Sequence, residues 1–72
     1  MSLYQAKKAG NTEAGNKYII LQDSPKSFHV SVGINNHVIY EHFEDPPSLD
    51  FLEKNILLLE KELYSKINIE PT

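Results

Sequence analysis

The chain contains no cysteine, no tryptophan and no arginine. The first absence excludes disulfides and thiolate zinc sites. That matters because 72 residues make a single small domain, which buries a smaller share of its surface than a domain of ~100–150 residues does. Small domains gain stability from disulfides, a structural metal or oligomerisation. With the first removed, packing, a histidine/carboxylate metal site and a partner subunit remain, and a partner subunit is the favoured expectation.

The missing arginine bears on partners. All seven positive charges are lysines, set against ten carboxylates for a formal net charge of −3. Recognition of phosphate and guanine leans on arginine forks and on a basic face that releases counterions. The composition therefore argues against a nucleic-acid partner. Long apolar runs are also lacking, and no window reaches the ~18 or more residues a membrane helix needs. Met1 to Ala14 carries Lys7 and Lys8 with no apolar stretch behind them, which does not fit a secretory signal. The expectation is a cytoplasmic protein with no membrane partner.

Residues 1–16 are rich in Ala, Gly, Asn, Thr and Lys, with no periodic apolar face to offset the entropy of ordering them. They read as a flexible arm, followed by a single domain over 17–68 and a tail over 69–72. Within the domain, Lys17 to Gln22 holds Tyr18-Ile19-Ile20-Leu21 and predicts a first strand. Apolar on both sides, this strand belongs in the middle of a sheet or under cover on two faces. Phe28 to Gly33 alternates apolar and polar, the signature of a half-buried strand. Asn35-Asn36 supplies residues that tolerate positive φ, as a tight hairpin requires, and a third strand follows from His37 to Phe43. A two-residue turn at Asn35-Asn36 pairs Ile34 with His37, Val30 with Glu41 and His29 with His42. One face then collects Phe28, Val30, Val32, Ile34, Ile39 and Phe43. The other collects His29, Ser31, Val38, Tyr40 and His42.

Asp45-Pro46-Pro47-Ser48 reads as a helix start, capped by Asp45 or by Ser48, and the helix runs to about Lys66. Leu49, Leu52, Ile56, Leu59 and Leu63 form one apolar stripe along it. The fold expected is α+β, a three-stranded antiparallel β-meander followed by one C-terminal amphipathic helix packed on one sheet face. The order of the first strand relative to the other two stays open.

Two further helical pairs, Phe51 with Leu58 and Leu57 with Tyr64, exceed what one helix on one sheet can bury. Adjoining exposed apolar surface of this kind marks interaction sites. These four residues, with Val38 and Tyr40 on the second sheet face, are the candidate interface. Chemistry is sparsely signalled. His29 and His42 face each other with Glu44 nearby, a set that suits a divalent metal, although packing explains such a pair more simply than a zinc site wanting four ligands. No cofactor-binding or catalytic motif occurs, and Ser31 lies on a flat sheet with no strained turn to expose it. The sequence points to a small non-enzymatic protein-interaction module that forms a homodimer. The alternatives are a monomeric regulator or inhibitor of a larger host protein complex and, behind it, a His/Glu metal-binding protein.

Overall fold

A computed structural model describes residues 5–68 of the chain, so the expected tail over 69–72 lies outside the described residues. Its elements are β1 (Gln5–Asn11), β2 (Lys17–Ser24), β3 (Ser27–Ile34), β4 (His37–Glu44) and α1 (Leu49–Ile67). The four strands form one antiparallel meander in the order β1-β2-β3-β4, and the helix lies on one face of it, over β3 and β4. The architecture is the α+β meander-plus-helix expected, with four strands rather than three.

The additional strand comes from the segment read as an arm. Every residue of β1 is exposed, so no apolar pattern could announce it. It is held by its ladder to β2, with Ala9 opposite Ile19 and Gly10 opposite Tyr18. At Gly10 the missing side chain leaves room for a neighbour, since a Cβ there would stand 3.4 Å from the Tyr18 hydroxyl. With β1 and β3 on either side, β2 is central, in keeping with its double-sided apolar character.

The β3–β4 hairpin turns at Asn35-Asn36, and Asn35 takes φ +56°. Its register places Ile34 opposite His37, Val32 opposite Ile39, Val30 opposite Glu41 and His29 opposite His42. Counting outward from a two-residue turn, hydrogen-bonded and non-hydrogen-bonded pairs alternate. The inner-face pairs are therefore the hydrogen-bonded ones. The outer-face pairs, His29–His42 and Ser31–Tyr40 among them, are the closer-spaced, non-hydrogen-bonded kind.

The core gathers Ile20, Val30 and Val32 from the sheet with Leu52, Ile56 and Leu59 from the helix, and Tyr18, Phe28, Ile39 and Phe43 pack around it. Each fully buried aliphatic side chain contributes about 1.5–3 kcal/mol of transfer free energy. Ser48, rather than Asp45, caps the helix: its hydroxyl accepts from the Phe51 N–H at 3.1 Å. Asp45 instead adopts φ +52°, and its N–H reaches the Lys26 carbonyl in the β2–β3 turn. Leu49, expected in the apolar stripe, sits in the first turn beyond the edge of the core and is exposed. Asn68 ends the helix in the left-handed conformation, donating its N–H to the Tyr64 carbonyl.

The β1–β2 turn is fastened to the helix by polar groups. Glu60 is 8% exposed; its Oε2 accepts from Thr12 Oγ1 at 2.5 Å and from Asn16 Nδ2 at 2.6 Å. Asn16 Nδ2 also donates to the Tyr64 hydroxyl at 2.8 Å, and Lys8 of β1 pairs with Glu53. The Glu53 carboxylate holds the Lys8 ammonium above its ordinary pKa through that hydrogen bond.

Candidate functional site: the outer sheet face

Because α1 covers one face of the sheet, the opposite face is open. The registers line it with rows that cross all four strands: Ala9, Ile19, Ser31 and Tyr40 in one, and Asn11, Lys17, Gly33 and Val38 beside it. Val38 is 66% exposed and Tyr40 71%. Gly33 has no side chain between Lys17 and Val38, so the surface dips into a shallow apolar trough reaching to Ala9 and Ile19. β-Branched and aromatic side chains on an open sheet face retain an unmet demand for cover.

The structure places four of the six interface candidates on two separate surfaces. Val38 and Tyr40 share the outer sheet face. Leu57 and Leu58, 57% and 63% exposed, belong to the helix on the other side of the sheet. Phe51, 37% exposed, stands edge-on to Phe43 with ring centroids 5.6 Å apart. Tyr64 takes part in the polar fastening of the β1–β2 turn.

At the far end of the outer face lies a cluster of titratable groups. The β2–β3 connection is tight, with Ser24 opposite Ser27, and the ladder slips between Gln22 and Ser24. A bulge of this kind re-aims a side chain. Here the residue concerned is Asp23, whose Oδ2 lies 3.0 Å from His29 Nε2. The His29 and His42 rings approach to 4.7 Å between centroids at 37°, as the closer-spaced pair geometry allows. His42 Nε2 in turn lies 2.5 Å from the Ser27 hydroxyl. Hydrogen bonding from Ser27, and then from His29, holds the Asp23 carboxyl below its usual pKa against the opposing effect of burial. Asp23 Oδ1 is shielded from solvent and accepts no hydrogen bond among the described residues.

One ligand-competent atom from each of Asp23, His29 and His42 fits within 4.8 Å of the others. Of the three metal candidates read from sequence, His29 and His42 do converge. Glu44 is placed opposite Ser27 at the strand end and is not part of the convergent set, which takes Asp23 instead. As a nucleophile–base pair, Ser27 and His42 have suitable spacing, but the carboxylate orients His29 and not His42, so the three do not form a relay. Ser31 stands opposite Tyr40 on the flat sheet.

Compared with known proteins, the chain matches no family model, no curated protein and no solved structure. Its function has to be argued from this surface. Among the described residues, no helix is long and apolar enough to cross a membrane.

Proposed function

We propose that the protein is a small non-enzymatic interaction module that self-associates through the outer face of its sheet. The observation that carries this reading is the contrast in cover. Ile19, Leu21, Val38 and Tyr40 occupy a sheet face on which no element packs among the described residues, and Val38 and Tyr40 are mostly exposed.

A second copy suits this surface because its charges are complementary under a two-fold operation. Lys17 and Asp23 stand at opposite ends of β2, on the same face, with Ile19 and Leu21 between them. An axis crossing the sheet between Ile19 and Leu21 lays Lys17 of each copy over Asp23 of the other and stacks the apolar rows, as an isologous contact requires. Four strands about 4.8 Å apart and eight residues of about 3.4 Å each give a footprint of about 500 Å². That is below the ~800 Å² per partner of a standard interface, so the dimer should dissociate in the micromolar range.

Light scattering across a micromolar-to-millimolar series tests the reading. The native chain should rise toward twice its monomer mass, and Val38→Glu with Tyr40→Lys should remain monomeric while keeping the native fold. A native chain that is monomeric throughout would contradict it. The second reading, a monomeric regulator of a larger complex, is favoured by one specific observation. Leu57 and Leu58 lie on the helical side, where a sheet-face dimer leaves them uncovered. That reading predicts that Leu58→Glu abolishes partner binding without changing the mass of the isolated chain.

A further inference from the structure

The geometry points to a binding site for a borderline divalent transition-metal ion, of which zinc is the representative, formed by Asp23, His29 and His42 on the outer sheet face. The inference goes beyond self-association and does not depend on it, since all three ligands come from one chain.

Four observations bring the site together. Two imidazoles from adjacent strands face each other in a closely spaced pair. A bulge brings a carboxylate against one of them. That carboxylate retains an oxygen that is withdrawn from water and accepts no hydrogen bond among the described residues, an acceptor whose burial is costly unless a donor or cation meets it. The three donor atoms already lie within 4.8 Å of one another.

Coordination chemistry sets how far they must move. Zinc bonds of about 2.0–2.1 Å to nitrogen and oxygen separate two ligands of a tetrahedral ion by about 3.3 Å. The Asp23–His29 separation of 3.0 Å is within a few tenths of an ångström of that value. The remaining closure, about 1.5 Å at most by the same bond lengths, falls largely to His42, which is exposed on edge strand β4 and turns its ring by giving up its Ser27 contact. On binding, the cation takes the place of the proton shared by His29 Nε2 and Asp23. The neutral imidazole then carries its proton on Nδ1 and offers the Nε2 lone pair. Two nitrogens and one carboxylate select zinc, copper or nickel over the oxygen-preferring magnesium and calcium. With three protein ligands the fourth position stays open to water.

The test is calorimetric titration of the untagged full chain with zinc chloride near pH 7.4, alongside proton NMR of the histidine ring resonances. One zinc per chain should bind, shifting the His29 and His42 ring signals and leaving those of His37, at the hairpin turn, in place. Magnesium and calcium should give no shift. His42→Asn, at an exposed position outside the core, should keep the native amide spectrum and weaken zinc binding at least tenfold. Asp23→Asn should also weaken it while leaving both imidazoles present. If zinc at millimolar concentration moves no histidine signal, if the shift falls on His37, or if His42→Asn binds within tenfold of the native chain, the site does not exist. Repeating the titration on the monomeric Val38→Glu/Tyr40→Lys variant separates this result from self-association, because binding should persist there.

Discussion

The two faces of the sheet are made by the same four strands yet differ in almost every physical respect. The inner face presents Ile20, Val30, Val32 and Ile34, all buried, beneath a helix whose Leu52, Ile56, Leu59 and Leu63 are buried with them. On the outer face, Ile19, Leu21, Val38 and Tyr40 have apolar bodies with no covering layer among the described residues, and the polar groups gather at one end around Asp23, His29 and His42. Alternation along a strand allots residues to faces, but a face becomes core only when something is laid over it. Among the described residues there is one helix and therefore one core. The second apolar face has no such layer among the described residues.

Mutations should separate the two faces sharply. The largest effect belongs inside: Leu52→Ala, at a position 1% exposed, should cost about 2–5 kcal/mol, a large part of what a domain of this size has. Tyr40→Ala on the outer face should stay within about 0.5 kcal/mol. Urea denaturation of both variants, at concentrations where light scattering gives the monomer mass, checks the ratio. If Tyr40→Ala were as damaging as Leu52→Ala, the outer face would be part of the folded monomer's own core.

The fastening of β1 comes next. Asn16→Ala removes donors to Glu60 and to Tyr64 and leaves a buried carboxylate with less compensation, a loss of about 1–3 kcal/mol. Amide hydrogen exchange should show the loss first in the β1 ladder, with β3 protected until global unfolding. Ser48→Ala deletes the helix cap and should cost about 1 kcal/mol, read from the shift in urea midpoint.

The effect at the outer cluster depends on pH. Asp23 has a carboxyl pKa below its ordinary value in the folded chain, so its ionised form stabilises the fold. That contribution is present above the unfolded pKa of about 3.9 and is lost as pH falls through the lower folded value. Native chain and Asp23→Asn should therefore differ near neutrality, with the native chain the more stable, and converge in acid. Denaturation midpoints measured from pH 7 down to pH 3 would show it. A gap that widens in acid would reverse the assigned sign.

Much of the inner face was legible in the residues alone. Asn35-Asn36 set the β3–β4 register, and the 28-30-32-34 alternation with the Leu52-Ile56-Leu59-Leu63 stripe named most of the core. What escaped had no apolar signal to carry it. β1 is a strand of exposed Gln, Ala, Lys, Gly and Asn, joined to the protein by backbone ladder bonds and by a polar fastening in which Thr12 and Asn16 meet Glu60, 48 and 44 residues further along the chain. Asp23 read as a turn residue because the bulge that turns it toward His29 is a slip in pairing, visible only once β2 and β3 are in register. Alternation puts Glu44 on the same face as His42, yet it stands opposite Ser27 at the strand end and does not join the cluster. Leu57 and Leu58 were identifiable as surplus apolar residues, but the helical wheel does not say that they and Val38 lie on opposite sides of the sheet.

The outer face is the surface through which copies are proposed to meet. An NMR dilution series on the native chain reports on it residue by residue. Amide shifts that change with concentration at Ile19, Ser31, Val38 and Tyr40, with Leu57 and Leu58 unmoved, are the predicted result. Shifts confined to the helix, or none up to millimolar concentration, would contradict it.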